Sequence, residues 1–380
     1  MHEAVIVDAI RTPVGRRNGV FASVRADDLA ADILNALVKR NRLDPSAIDD
    51  VVTGCVTQTG EQGFNISRSI VLASGLPISL AATSVSRLCG SGVQAVQFAY
   101  AQVAAGFSEI MVALGAENMT RVPMGSDVGP TNEKILDRFA IINQGLSAEL
   151  IAEKWELSRD VLDQFSYQSH QRAIRAIDAG LFKREIVPYT VQINGEHNVV
   201  TTDEGPRRDT SLEKLAGLKP AFKDAGRITA GNSSQISDGA AGILIMTATK
   251  AKELQLAPRA RIVTTTVVGV DPTIMLTGPI PATQKAFTKT GLSIRDMHTI
   301  ECNEAFAPIP LAFAREHHVS SEQLNPRGGA IALGHPLGAS GARLVTSALH
   351  TIEDDRARYG MVTMCIGFGQ GITMILERLG

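Results

Sequence analysis

Residues 92–115 read GVQAVQFAYAQVAAGFSEIMVALG. Val93, Val96, Tyr100 and Val103 recur at helical spacing, Gly106 stops the pattern, and Ile110-Met111-Val112-Ala113-Leu114-Gly115 is the short continuous apolar run of a buried strand. A helix feeding a buried strand is the building unit of an α/β fold. The order returns near the other end of the chain. There Gly341 precedes Leu344, Val345, Ala348, Leu349 and Ile352 at helical spacing, and the strand-like Met361-Val362-Thr363-Met364-Cys365 follows. From Gly92 to Gly115 is 23 positions and from Gly341 to Gly367 is 26, the pattern of a repeated unit. Such units are common in α/β proteins, so chance recurrence explains this spacing equally well.

Working outward, Ala4-Val5-Ile6-Val7, ended by Arg11-Thr12-Pro13, reads as a buried strand, and residues 29–37 follow with helical spacing. Val51-Val52-Thr53-Gly54 is the next strand. From about 118 to 235 the texture changes to scattered Pro, Asn and charge among polar helices such as 159–179, which reads as an inserted loop domain. Gly242-Ile243-Leu244-Ile245-Met246 returns the chain to the first core, and residues 261–268 open a second run of α/β elements. The expected organisation is 1–117 with 236–255, an insertion at 118–235, and 256–380.

Thirty-seven Lys and Arg against 39 Asp and Glu leave a net charge of −2, so no global positive field exists to hold nucleic acid or an anionic membrane. Any anionic ligand needs a local patch. The four cysteines, 55, 89, 302 and 365, are far apart and form no C-x-x-C, which argues against a zinc site or a disulfide scaffold and for reduced thiols in a cytoplasmic compartment. The start of the chain goes straight into a strand, with no leader or membrane span read there.

Cys89 lies in Ser86-Arg87-Leu88-Cys89-Gly90-Ser91-Gly92, just ahead of a helix, where free N–H groups and the helix dipole favour a thiolate. A candidate nucleophile results, with a buried small hydrophobe as the alternative. His335, in the loop Gly334-His335-Pro336-Leu337-Gly338, is the best base candidate among eight histidines, unless its ring only ties the loop to itself. Cys365-Ile366-Gly367-Phe368-Gly369 is a second Cys in a glycine-rich turn, or no more than a hairpin. Asn303 in Cys302-Asn303-Glu304-Ala305-Phe306 is a polar candidate or a plain helix N-cap. Together, two Cys, one His and one Asn stand at the ends of α/β elements. A cysteine protease needs no second Cys, and a metal site would not spread its ligands this way without carboxylates; two thiols suggest one that is acylated and one that moves a proton.

The sequence resembles the thiolase family of acyl-CoA acyltransferases across essentially its whole length. The resemblance rests on Arg11-Thr12-Pro13-Val14-Gly15, Leu88-Cys89-Gly90-Ser91-Gly92, Ala230-Gly231-Asn232-Ser233-Ser234, Asp238-Gly239-Ala240-Ala241, Asn303-Glu304-Ala305-Phe306, residues 328–338 and Cys365-Ile366-Gly367, in the family's order. It implies two similar βαβαβαββ halves in a layered αβαβα arrangement with a coenzyme A-binding loop domain inserted in the first. It implies Cys89 as the acylated nucleophile, His335 as its base, Cys365 as the second acid/base, Asn303 as the holder of an enolate-stabilising water, and the N–H groups of Cys89 and Gly367 as an oxyanion hole. Arg207, Leu218, Phe222, Ala230, Ser234, Met275 and Phe306 fall at coenzyme A-contact positions. Related ketosynthases pair a Cys with two His; here the third position is Cys365.

The implied reaction is cleavage of a 3-ketoacyl-CoA by coenzyme A as co-substrate, with no prosthetic group and no metal, in a homodimer or homotetramer. A four-carbon acetoacetyl-CoA thiolase is the nearest rival, and a non-catalytic coenzyme A- or lipid-binding module is the alternative of another class. Residues 207–227 carry six basic side chains (Arg207, Arg208, Lys214, Lys219, Lys223, Arg227) against three acidic ones, a local patch for phosphates, at least half of it expected to be plain solvated surface. Three departures stand out: Asn143-Gln144-Gly145 where relatives carry a His-Met or Met pair, Lys214 where a Ser is common, and Gly367-Phe368-Gly369 in place of three glycines. The Phe368 ring is expected to wall the acyl pocket against a bulky acyl group, with a stopper that shuts out long chains as the alternative.

Overall fold

The computed structural model describes residues 2–193 and 195–380. Among the described residues twelve strands are formed: β1 (Ala4–Arg11), β2 (Gly15–Arg16), β3 (Asp50–Gly54), β4 (Ala81–Val85), β5 (Ile110–Asn118), β6 (Tyr189–Ile193), β7 (Glu196–Val200), β8 (Ser237–Thr247), β9 (Ala260–Gly269), β10 (Thr299–Cys302), β11 (Tyr359–Ile366) and β12 (Gln370–Arg378). Ten of them make one mixed sheet in the order β10-β11-β12-β9-β1-β8-β5-β3-β4, with β2 beside β8.

The repeat suspected from the glycines is present. In the first half β3 pairs parallel with β4 and β5, and β5 and β1 pair antiparallel with β8. In the second half β10 pairs parallel with β11, and β11 and β9 pair antiparallel with β12. The counterpart of β4 has shrunk to a lone parallel bridge between Ile300 and Leu324. Between the halves, among the described residues, the strands pair at one position, Ile6 with Ala260.

Burial of the helices gives the layers. Helix Ala26–Arg40 buries one stripe (Leu29, Ala30, Ile33, Leu34, Leu37) and carries Asp27 and Asp28 in its first turn and Lys39 and Arg40 in its last, as the helix dipole prefers. It covers the outer face of the first half. Helix Leu337–Asp354 is buried on all sides from Leu337 to Ile352, which only a central layer allows. Its apolar residues share one core with Val93, Val96, Ala99 and Val103 of helix Ser91–Ala105 and with strands of both halves. Helices Pro279–Thr290 and Pro308–His317 close the far side, completing an αβαβα stack. The central helix starts one turn before Gly341, at Leu337.

The two central helices meet main chain to main chain. A Cβ at Gly92 would stand 2.6 Å from the Ala342 nitrogen, and one at Gly341 would stand 2.2 Å from the Val93 nitrogen. Only glycine permits that approach, and it sets the starts of both helices side by side. The chain between β5 and β8 holds helices Gln144–Lys154 and Arg159–Asp178 and the β6–β7 hairpin. It is tied to the core by Arg11, whose buried guanidinium donates to Glu185 Oε1 and Asp203 Oδ1, both at 2.6 Å. β5 runs one residue past the boundary expected at 117. Among the described residues no helix is long and apolar enough to cross a membrane.

Candidate active site

Cys89 sits at the tip of the turn between β4 and helix Ser91–Ala105. The turn needs a left-handed Leu88 (φ 44°), and Ser91 holds it there: its hydroxyl donates to the Leu88 carbonyl at 2.6 Å and accepts from the Arg87 N–H at 2.9 Å. The N–H groups of Gly367 and of Cys89 itself act on the Cys89 thiol to lower its pKa, so both lie near the sulfur. Gly367 opens the three-residue turn joining β11 to β12, so the glycine cluster is both a hairpin and part of the site. Cys365, next to the last residue of β11, is buried and close enough to Cys89 for one thiol to raise the other.

His335 enters from the second half, between Gly334 (φ 97°) and the start of the central helix. Its Nδ1 lies 2.6 Å from Ser340 Oγ, and that hydroxyl spends its own proton on the Pro336 carbonyl at 2.8 Å. Ser340 can therefore only accept from the ring, which puts the proton on Nδ1 and leaves the lone pair on Nε2. Asn303 Nδ2 donates to that Nε2 at 3.2 Å. One ring nitrogen thus serves the loop, as the packing alternative supposed, and the other faces the site. Asn303 is not an N-cap, because the next helix starts at Pro308 with Ala307 before it.

Electrostatics correct one expectation. The helix start was expected to favour a Cys89 thiolate, yet burial pushes its thiol up to about 11, with the two N–H donors only partly offsetting the loss of solvation. Cys365 is pushed higher still by burial and by its neighbour Cys89. His335 is depressed to about 3, by burial first and the nearby Arg343 second. At neutral pH the resting site holds two thiols and a neutral imidazole.

Two residues invisible to the motif reading hold this arrangement. Ser340 fixes the imidazole tautomer. Glu117 follows the apolar run of β5, one residue before the strand's end, and its buried carboxylate accepts from the N–H groups of Val56, Thr57 and Gly338 and from Gln62 Nε2, at 2.8–3.1 Å. It clamps the His335 loop onto the first half. A carboxylate closing a wholly apolar strand was the available signal, since a buried acid needs partners.

A cavity of about 240 Å³ opens on Cys89 and His335, and Phe222, Ser234 and Phe306 line it with Gln144 and Gln235. Phe222 meets Phe306 edge to face at 5.8 Å. A second cavity of about 110 Å³ shares Gln235 and is lined by Arg207, Leu218, Ala230, Lys214 and His170. His170, also missed from sequence, accepts the Arg207 N–H on Nδ1 at 3.1 Å. Lys214 is held by Asp209 at 2.7 Å. Of the other basic residues, Arg208 pairs with Asp178 at the surface and Arg227 donates to the Ala152 and Leu157 carbonyls.

Two expectations fail. Met275 lies in the core of the second half and lines neither cavity. Phe368 does not wall the acyl pocket: its ring is 49% exposed and outside the cavity lining, because a left-handed backbone (φ 59°) turns it away at the hairpin tip.

This geometry can be set beside known proteins. Residues 4–249 match the thiolase N-terminal domain and residues 256–378 the thiolase C-terminal domain. A steroid 3-ketoacyl-CoA thiolase of Mycobacterium tuberculosis is 44% identical over all of this chain and 95% of its own length. A β-ketoadipyl-CoA thiolase of Acinetobacter baylyi is 44% identical over the full length of both. The crystal structure of an acetyl-CoA acetyltransferase from Bacillus anthracis superposes with a TM-score of 0.93 at 37% identity, covering 100% of this chain and 99% of that one. With both thiolase domains matched over nearly the whole chain and relatives 44% identical along its full length, the chain belongs to the thiolase family and is an acyltransferase.

Proposed function

We propose that this enzyme cleaves 3-ketoacyl-CoA thioesters with coenzyme A, giving acetyl-CoA and a shortened acyl-CoA. The observation that carries the reading is that Cys89 and His335 line one cavity, with the Gly367 and Cys89 N–H groups lowering the Cys89 thiol pKa and the Cys365 thiol close enough to Cys89 to be raised by it. His335 takes the Cys89 proton as the sulfur attacks the 3-keto carbon, and the alkoxide forms at the two N–H donors. The bond between carbons 2 and 3 then breaks. Its electrons pass into the thioester enolate, which faces a water held by Asn303 and the imidazolium of His335, and the Cys365 thiol protonates carbon 2. Acetyl-CoA departs. The Cys365 thiolate next deprotonates incoming coenzyme A, whose sulfur takes the acyl group from Cys89 while His335 returns the proton.

Residues 118–235 serve as the loop domain that holds coenzyme A. Phe222, Ser234 and Phe306 flank the pantetheine arm, and Arg207, Leu218 and Ala230 meet the nucleotide end in the second cavity. Free thiols at all four cysteines fit a reducing, cytoplasmic setting. Intact-mass analysis after brief exposure to 3-ketohexanoyl-CoA is expected to show a butyryl adduct on Cys89, the one cysteine lining the cavity among the described residues. An adduct on Cys55 or Cys302 would overturn the assignment, and absence of any adduct or turnover would favour a binding module. Preference for acetoacetyl-CoA over all longer members would favour the four-carbon reading.

A second copy of the chain is the proposed partner. β4 ends the sheet with one free edge and none of its five residues buried, and Phe64 and Ile78 are exposed nearby in the chain. An unpaired edge of that kind calls for a cover. Sedimentation at micromolar concentration is expected to show a dimer or tetramer that Ser84→Pro weakens; a monomer would refute it.

A further inference from the structure

Gln144 lines the catalytic cavity where an apolar wall would be the simpler choice. Its backbone is fixed by its neighbours: Asn143 caps the helix by accepting the Gly145 N–H at 2.8 Å, and Gly145 leaves room for the Phe222 ring, which a Cβ there would meet at 2.2 Å. The side chain reaches the catalytic turn, its Nε2 lying 2.7 Å from where a Cβ on Gly367 would be. Gly367 is the residue whose N–H lowers the Cys89 thiol pKa. The Gln144 amide makes no side-chain hydrogen bond among the described residues, and the surrounding lining includes Met119, Met124, Ile236 and Leu337, with no Lys or Arg.

We propose that Gln144 selects acyl chains bearing an oxygen two or three carbons beyond the carbonyl bonded to Cys89, an inference that rests on the thiolytic reaction proposed above. A hydrocarbon acyl group strips water from the amide and returns nothing, whereas an acyl oxygen restores the hydrogen bond. Sites that hydrogen-bond a substrate group discriminate more sharply than sites that only enclose it. Without a cation in the lining, the Gln144 amide is a neutral anchor for such an oxygen, placed against the Gly367 turn beside Cys89.

The test compares kcat/KM of the wild-type enzyme and Gln144→Met on acetoacetyl-CoA, 3-ketohexanoyl-CoA, 3-ketoadipyl-CoA and 3,5-diketohexanoyl-CoA. The wild type is expected to favour at least one oxygen-bearing six-carbon substrate over 3-ketohexanoyl-CoA by about tenfold or more. Gln144→Met should bring that ratio to about one or invert it while acetoacetyl-CoA turnover persists, which shows the fold and the chemistry intact. The 3-ketoadipyl and diketo arms separate a carboxylate from a neutral oxygen. If neither oxygen gives an advantage, or Gln144→Met keeps the wild-type ratio, the selection is overturned while the thiolytic reading stands. If the wild type cleaves none of the four, the reaction itself is refuted and this inference with it. Should Gln144→Met fail to fold, Gln144→Leu gives the same comparison.

Discussion

Cys365→Ala is expected to lower thiolytic turnover about 10²–10⁴-fold, the usual contribution of a positioned acid/base, while acylation of Cys89 by a simple acyl thioester stays within about tenfold of wild type. The split follows from the division of labour between the two thiols. Cys365 is buried beside Cys89 and held as a thiol well above the ordinary range, so at neutral pH it has a proton to give to the enolate. Attack on a thioester that yields no enolate asks nothing of it. The comparison needs stopped-flow turnover of acetoacetyl-CoA beside the rate of mass increase on Cys89. Equal losses in the two assays would mean that the substitution had disturbed the Cys89 turn itself.

His335→Ala should impair both assays, by about 10²–10⁴-fold, because thiolate formation precedes either. The pH profile carries the sharper check. His335 is depressed to about 3 and Cys89 raised to about 11, so neither changes protonation in the free enzyme across the working range. Lowering pH protonates a depressed histidine only near its shifted value. The rate constant for Cys89 acylation is therefore expected to stay level from about pH 5.5 to 9, with no limb near the ordinary histidine value of about 6.5. A limb there would show that the imidazole is solvated and Arg343 ineffective.

Much of the fold was legible because the duplication repeats its grammar locally, glycine, helix, apolar strand. The fifth strand of the second half was not, since a strand worn down to one bridge at Leu324 leaves no periodicity to read. Cys89, His335 and Cys365 stood out by their glycine-rich surroundings, whereas roles for Asn303 and Gly367 came with the family resemblance, and none of the charge states could be read. A local reading saw the helix start ahead of Cys89 and missed the burial that outweighs it, because burial comes from β11 and the His335 loop, more than 240 positions away. Ser340 and Glu117 escaped for a related reason: each acts through a partner that only the folded chain supplies. Phe368 misled because its backbone, not its size, decides where the ring points.

The glycine seam between the central helices has a consequence for how such genes can be recombined. Cys89 belongs to one half and His335 to the other, and the spacer between their supporting helices at Gly92 and Gly341 is a pair of hydrogen atoms. Side-chain cores absorb mismatched partners by changing rotamers, but a main-chain seam has nothing to rotate. Halves exchanged between relatives should therefore yield active chimaeras wherever both crossing glycines and the Glu117 clamp on Gly338 are inherited, however different the outer layers. A parent carrying even alanine at either glycine would donate a half that folds and cannot dock.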